Sequence, residues 1–186
     1  MRVVAFASAL LCIVPSVAAA DGFVTPFVGA SFGATDVEKV TTLGASLAAM
    51  AGGVFGFEID FARTAEAPAN TIFVADSRTT TVMGNLIIGI PIKGVRPYAV
   101  GGLGWIQTEV SPRTVRDQSL SRILPAKSEG LGFDVGGGIL GFFSEHVGAR
   151  FDLRYIRSIS VGDSFRDILF EDLAFWRATA GVALRF

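Results

Sequence analysis

The stretch "RFDLRYI", Arg150 to Ile156, alternates charged with apolar residues. In an extended strand successive side chains leave opposite faces. Its charged residues therefore share one face and its aromatic and aliphatic residues share the other: Arg150, Asp152 and Arg154 against Phe151, Leu153 and Tyr155. The direction in which the apolar face turns decides between a soluble β-protein and a membrane barrel.

The composition favours a membrane protein, with 51% hydrophobic residues and a mean hydropathy of +0.52. One segment, "TTLGASLAAMAGGVFGF" from Thr41 to Phe57, resembles a membrane helix. It is rich in glycine and alanine and lies at the lower limit of the ~20 residues that a membrane helix needs. The pair Gly52–Gly53 divides it more naturally into two strands joined by a tight turn. We therefore predict strands rather than a helix here.

The N-terminus, "MRVVAFASALLCIVPSVAAADGF", has the pattern of a secretory signal peptide. A basic Arg2 precedes an apolar run, and Ala18 and Ala20 form a small-x-small cleavage pattern. We expect residues 1–20 to be removed, leaving residues 21–186 as a single barrel domain. Cys12, the single cysteine, would leave with the signal, so the mature chain would have no disulfide. The near-neutral charge gives no indication of a nucleic-acid partner.

Eight segments show the period of two that is typical of strands. Each is long enough for the ~9–11 residues of a tilted membrane strand, and the number is even, as in bacterial single-chain barrels. The predicted strands are Gly22–Gly33, Thr42–Ala51, Val54–Arg63, Thr79–Ile90, Arg96–Gln107, Gly130–Phe143, Val147–Ser158 and Asp172–Phe186.

The connections between these segments alternate in length. Short ones, Gly52–Gly53, "PIKGVR" and "SEHVG", alternate with "ATDVEKVT", "TAEAPANTIFVADSR", "TEVSPRTVRDQSLSRILPAKSE" and "IRSISVGDSFRDILFE". Outer-membrane barrels have short periplasmic turns and longer extracellular loops. The alternation therefore predicts an all-β, eight-stranded, antiparallel up-and-down transmembrane barrel.

The apolar faces are too large for the inside of such a barrel. Eight strands enclose only enough space for filling side chains, so the many phenylalanines must face lipid. The charged faces then meet one another in the lumen, where opposite signs balance, as desolvated charges require. This predicts a lumen network of Arg150, Arg154, Arg177 and Arg185 with Glu58, Asp60, Asp134 and Asp152.

The pieces "FVTPFVGASFG", "FGFEIDFA", "GVRPYAVGGLGW", "FDVGGGILGFFSEHVGARFDLRYIRSI" and "ATAGVALRF" resemble the small eight-stranded outer-membrane barrels similar to the transmembrane part of OmpA. The resemblance covers essentially the whole mature chain and implies a bacterial outer-membrane location. It also implies that Val182, Leu184 and Phe186 form the signal read by the barrel-assembly machinery. We expect no peptidoglycan-binding domain of the kind found in full OmpA proteins, so the resemblance does not extend to a cell-wall tether.

Two further features have both a functional and a structural interpretation. Basic residues of the third long loop could bind lipopolysaccharide phosphates, or they could belong to a solvated mixed-charge loop: Arg113, Arg116, Arg122 and Lys127. The glycines of the fifth and sixth strands, expected to lie nearly opposite each other, could form a lipid-binding notch or relieve crowding: Gly101, Gly102, Gly104 and Gly136 to Gly138.

The favoured function is a structural or surface-interaction role: envelope integrity, adhesion or binding by the loops. A narrow channel, a lipid-modifying barrel enzyme and a soluble lipocalin-like carrier remain alternatives. The single histidine, His146, lies in a predicted periplasmic turn with no nucleophile–base arrangement around it. We therefore expect no enzymatic activity and no cofactor or metal. Outer-membrane lipid, lipopolysaccharide and a ligand of the loops are the expected partners.

Overall fold

The computed structural model describes residues 20–33, 39–64, 76–111, 126–159 and 173–186. Eight strands account for most of them. They are β1 (Ala20–Phe32), β2 (Val40–Ala51), β3 (Phe55–Thr64), β4 (Asp76–Gly89), β5 (Val95–Ser111), β6 (Ala126–Phe142), β7 (Val147–Ile159) and β8 (Ala174–Arg185).

Each strand pairs antiparallel with the next, and β8 pairs with β1, so the sheet closes into a barrel. This confirms the predicted all-β, eight-stranded antiparallel architecture. The segment Thr41 to Phe57 forms most of β2, a turn and the start of β3, as expected from its central glycine pair. Within the described ranges no helix is long and apolar enough to cross a membrane.

The three short connections form tight turns, and all three turns lie at one end of the barrel. Gly52 and Gly53 both have positive φ, 56° and 70°, which suits a two-residue hairpin turn. Lys93 and Gly94 form a second such turn, closed by hydrogen bonds between Ile92 and Val95. In the third turn the Ser144 hydroxyl accepts a hydrogen bond from the Val147 amide at 3.0 Å. Both described chain ends lie at this same end of the barrel.

The β5–β6 hairpin is longer than the sequence predicted. The two strands remain paired from Gly104↔Gly132 to Val110↔Ala126, so residues assigned to the third long loop continue the ladder. The prediction was wrong because these polar positions have no apolar face that would mark them as strand. In the pairing, Glu109 lies opposite Lys127.

The apolar faces turn outward. On β3 and β7 exposed apolar residues alternate with buried charged ones. Phe57 is 73% exposed and Leu153 is 47% exposed, whereas Glu58 and Arg154 are 2% and 1% exposed. The stretch Arg150–Ile156 therefore has its charged face inside and its apolar face outside.

The two glycine triplets are out of register, contrary to expectation. Gly102 lies opposite Asp134 and Gly136 lies opposite Val100, and only Gly104 faces another glycine of the pair of strands, Gly132. A Cβ atom on Gly102 would meet the Asn85 side chain, and one on Gly138 would meet the Tyr98 ring. These inward glycines leave room for large lumen side chains, which agrees with the crowding interpretation.

Candidate functional site in the barrel lumen

Arg154 is the centre of a charge network inside the barrel. Its Nη2 atom lies 2.6 Å from Glu58 Oε1 and 3.0 Å from Asp152 Oδ1. Its Nη1 atom lies 3.2 Å from Asp134 Oδ2 and 3.8 Å from Asp60 Oδ2. One guanidinium on β7 thus joins carboxylates of β3, β6 and its own strand across the narrow interior.

Arg150 extends this network toward the end of the barrel that carries the tight turns. It contacts Glu58 Oε2 at 2.5 Å and Asp152 Oδ2 at 2.9 Å. Its Nε atom donates a hydrogen bond to the Tyr98 hydroxyl at 2.6 Å, and that hydroxyl donates to Asp152 Oδ1 at 2.6 Å. Arg150 also donates to Ser46 Oγ at 3.1 Å. Both oxygens of Glu58 and both oxygens of Asp152 are therefore engaged by arginine.

Arg177 on β8 lies directly opposite Arg154 in the β7–β8 pairing. Two like charges in this position repel each other unless a counter-charge lies between them. Asp60 supplies that charge, since its Oδ1 atom lies 2.6 Å from Arg177 Nη2 while its Oδ2 atom faces Arg154. The Arg177 guanidinium also stacks 5.4 Å from the centre of the Phe27 ring.

Two apolar clusters enclose the network along the barrel axis. The first lies on the side of the tight turns and is made of Phe23, Ala48, Met50, Ile87, Tyr98, Val100, Leu140 and Ala183. The second lies on the opposite side and is made of Met83, Ile106, Ile156 and Phe175. Burial between them weakens screening by water, so the ion pairs are strong and any unpaired charge would be costly.

Arg185, predicted to belong to the same network, lies elsewhere. Its Nη1 atom is 3.9 Å from Asp21 Oδ2, and its Nε atom donates to the Glu145 carbonyl at 2.6 Å. Arg96 joins it there, with Nη2 at 3.5 Å from the same Asp21 oxygen. Side-chain alternation places a residue inside or outside the barrel but does not fix its depth. Asp21, Arg96 and Arg185 form a separate group at the mouth of the barrel, beyond the first apolar cluster.

The other seven predicted lumen residues all lie in the network, namely Glu58, Asp60, Asp134, Arg150, Asp152, Arg154 and Arg177. Their neutral partners were missed by the sequence analysis: Tyr98, Asn85, Ser46 and Thr81. The same two-residue alternation of β4 and β5 could have placed Asn85 and Tyr98 inside. It could not have shown which charges they contact.

A small cavity of about 10 Å³ lies beside Arg177 at the far end of the lumen. The residues that line it are Ser31, Thr42, Ala62, Thr64, Thr79, Thr81, Phe175 and Arg177. This is about the volume that one water molecule requires. In the described part of the chain no group of three or more His, Cys, Asp and Glu side chains could hold a metal ion.

The outward rim at this far end combines aromatic and basic side chains. The rings of Tyr155 and Trp176 are 5.3 Å apart and those of Phe133 and Tyr155 are 6.5 Å apart. Arg63 and Arg157 occupy outward positions near the ends of β3 and β7. A band of lipid-facing apolar residues thus ends in aromatic rings, with guanidinium groups beyond them, as expected at a membrane–water boundary.

Several predicted residues lie outside the described part of the chain. These are residues 1–19 of the predicted signal peptide and residues Arg113, Arg116 and Arg122 of the predicted third long loop. Lys127 lies on β6, where only its backbone pairing is described. Val182, Leu184 and Phe186 all lie on the outward face at the end of β8, and Phe186 is 77% exposed.

The geometry defines a class of protein: a closed eight-stranded barrel with a lipid-facing exterior and an interior filled by ion pairs. A family model described as "Outer membrane protein beta-barrel domain" matches residues 4–186. The chain belongs to this family and is a bacterial outer-membrane β-barrel. Barrels of this kind usually have their tight turns in the periplasm and their longer connections outside the cell.

Solved structures with the same fold include small surface barrels of several bacteria. Neisserial surface protein A is 14% identical, with a TM-score of 0.68 and coverage of 89% of this chain and 97% of that one. The N-terminal barrel of Pseudomonas aeruginosa OprF is 14% identical, with a TM-score of 0.59 and coverage of 89% and 97%.

The attachment invasion locus protein Ail of Yersinia pestis is 13% identical, with a TM-score of 0.56 and coverage of 90% and 99%. Ail has also been solved in complex with the heparin analogue sucrose octasulfate. No curated protein sequence matches the chain. At these identities the likeness establishes the fold alone.

Proposed function

We propose that the protein is a structural and surface-interaction barrel, which stabilises the envelope and displays its extracellular loops for binding. The observation that carries the proposal is the filled lumen. Three arginines and four carboxylates join β3, β6, β7 and β8 across the interior, between two apolar clusters. An ion crossing this interior would have to separate buried ion pairs, which costs several kcal/mol for each pair.

Conductance in planar bilayers tests this proposal against the channel alternative. The purified barrel should give no discrete openings under conditions where a porin, added to the same bilayer, conducts. Regular openings of the wild-type protein, of constant size and proportional to protein added, would refute the filled-lumen proposal.

The partners that suit the rim are anionic saccharides of the cell surface, above all the phosphorylated sugars of lipopolysaccharide. Guanidinium groups bind phosphate and sulfate through paired hydrogen bonds. Arg63, exposed near the end of β3, would contribute to such a basic surface. The predicted loop residues Arg113, Arg116 and Arg122, together with Lys127 on β6, would extend it. Ail, a barrel of the same fold, has been solved in complex with the heparin analogue sucrose octasulfate, which supports the proposal.

Binding to lipopolysaccharide in nanodiscs tests the partner. Replacing Arg113, Arg116, Arg122 and Lys127 together by glutamine should weaken binding, most strongly at low salt. Replacing Lys93, an exposed cation in a periplasmic turn, should leave binding unchanged. Equal effects per positive charge removed would show that only net charge matters and that these four residues do not form a site.

We propose no enzymatic activity. His146 lies in the turn between β6 and β7, at the periplasmic end, away from the outer-leaflet lipid that a lipid-modifying enzyme would act on. Mass spectrometry of lipid A from cells with and without the protein should show identical species. A difference that disappears on His146→Ala substitution would establish the enzyme alternative.

Export and assembly complete the proposed route to the membrane. Residues 1–20 would direct secretion and be cleaved, and the end of β8 would be read by the assembly machinery. Deleting Phe186 should lower the amount of assembled barrel at the surface, whereas Phe143→Ala, which removes another exposed aromatic at the periplasmic end, should have a smaller effect. Equal surface levels of the wild type and the Phe186 deletion would exclude the signal.

A further inference from the structure

A proline interrupts the pairing between β1 and β8, which is the seam at which the barrel closes. Pro26 is in the middle of β1, where its side chain faces outward. Proline has no backbone N–H and is therefore found in sheets at edges, strand ends or bulges rather than in the centre of a ladder. Its position in a membrane strand calls for a physical explanation.

The register shows which ladder loses the hydrogen bond. The β1–β8 pairing runs from Phe23↔Arg185 to Val24↔Leu184 and resumes at Phe27↔Gly181 in the same register. The pairs that would join Thr25 to Ala183 and Pro26 to Val182 are missing. The other seven ladders are continuous over the described residues.

The direction of the backbone groups supports this reading. The Pro26 carbonyl points to β8, because it would contact a Cβ atom added to Gly181. In an antiparallel strand the N–H and C=O of one residue point to the same neighbour. The missing donor of Pro26 is therefore the one that Val182 C=O would accept, and the β1–β2 ladder loses nothing.

Pro26 divides the seam into unequal parts. The extracellular part pairs continuously from Phe27↔Gly181 to Phe32↔Trp176. The periplasmic part has two pairs, Phe23↔Arg185 and Val24↔Leu184, and a terminal hydrogen bond from the Phe186 amide to the Gly22 carbonyl at 3.0 Å. In lipid an unsatisfied backbone group has no water to bond, so this short part is the weak point of the barrel wall.

We infer that the periplasmic part of the β1–β8 seam opens before the rest of the barrel wall, and that Pro26 sets the boundary between the two parts. The part that opens carries Val182, Leu184 and Phe186.

Amide hydrogen exchange, followed by NMR on the barrel refolded in nanodiscs, tests the opening directly. Even-numbered amides of β8 point to β1, as the Phe186 amide does, and odd-numbered amides point to β7, as the Arg185 amide bonding to the His146 carbonyl shows. Val182 and Leu184 therefore report the seam, and Gly181 and Ala183 report the neighbouring ladder of the same strand. The seam amides should exchange faster than their odd-numbered neighbours. Equal protection of the two sets would overturn the inference without any variant.

Pro26→Val restores the missing donor and tests the cause. One added hydrogen bond should slow exchange of the Val182 and Leu184 amides about two- to tenfold. Pro97→Val is the matched control, because Pro97 lies near the start of β5. Pro97→Val should leave these exchange rates unchanged.

If Pro26→Val folds poorly, Pro26→Ala supplies the same backbone donor with a smaller side chain. Unchanged seam exchange in a folded Pro26 variant would refute the role of Pro26.

Discussion

At the scale of the residue, the charged lumen depends on one guanidinium. Arg154 lies within ion-pair distance of four carboxylates on three strands: Glu58, Asp60, Asp134 and Asp152. A buried network of this kind adds little stability over apolar packing, but breaking one side of it leaves charges buried without partners. The stability of the barrel should therefore respond more strongly to the loss of Arg154 than to the loss of an arginine at the rim.

Arg154→Leu should lower the free energy of unfolding by about 3–5 kcal/mol. Arg154→Gln keeps hydrogen-bond donors for Glu58 and Asp134 and should cost less. Arg63→Gln, at an exposed outward position, serves as the control and should change stability by about 0.5 kcal/mol or less. Urea unfolding in lipid vesicles measures all three variants. If Arg154→Leu left the free energy of unfolding unchanged, the carboxylates would not need this partner.

The neighbouring residue tests the opposite face. Leu153 points to lipid, so Leu153→Arg should cost about 2–4 kcal/mol near the bilayer midplane in the same assay. Leu153→Val keeps the apolar character and should be well tolerated. A lipid-facing position accepts any apolar shape, whereas a packed core does not. If Leu153→Val were as damaging as a core cavity, the assignment of inside and outside would be reversed.

At the scale of the element, glycines opposite large lumen side chains let neighbouring strands approach. Gly136 lies opposite Arg154, Gly138 opposite Asp152, and Gly181 opposite Arg150. An added Cβ on Gly136 would lie 2.8 Å from Arg154 Cα and 3.1 Å from Arg154 Cγ. A side chain can turn away, but a Cα in a closed barrel wall cannot. The glycines of β6 and β8 thus make room for the charged residues that lie opposite them.

Gly136→Ala should therefore destabilise the barrel by about 1–3 kcal/mol, the usual cost of overpacking. Gly84→Ala is a suitable control, since Gly84 faces outward and an added Cβ would meet only the Leu103 carbonyl, at 3.8 Å. It should be close to neutral. Urea unfolding of the two variants compares the same chemical change on the two faces of the wall. An equal loss of unfolding free energy in the two variants would show that the effect comes from strand propensity and not from the crowded lumen.

The strands also show which features of the fold could be predicted from the sequence alone. Alternation and loop length predicted all eight strands, because a membrane barrel has a lipid-facing side on every strand. They failed at the ends of β5 and β6, where polar residues continue the ladder above the apolar band. The inward charges could be identified from parity, but their pairing could not. Contacts across the lumen, such as Arg150 with Glu58, depend on the stagger between strands. This stagger cannot be predicted from the sequence of one strand.

At the scale of the whole molecule, the interior charges balance although they lie in two separate places. The central network has three arginines and four carboxylates, and the mouth group has Arg96 and Arg185 with Asp21. Together they number five basic and five acidic side chains. The lumen can therefore be filled and nearly neutral at once, which is compatible with a low-dielectric interior. The exterior, in contrast, has apolar side chains over its central band, which suits the hydrocarbon region of a membrane.

An integral barrel of this kind should remain in the membrane pellet after carbonate extraction. The closed sheet should also resist SDS at room temperature, so that unboiled and boiled samples migrate differently on gels. Heating separates the ladders and releases the ion pairs, which converts the compact species to the extended one. Arg154→Leu should convert at a lower temperature than the wild type, while Arg63→Gln should match it. Recovery of the native protein in the soluble periplasm, or a single unshifted band for the wild type, would contradict the outward placement of the apolar faces.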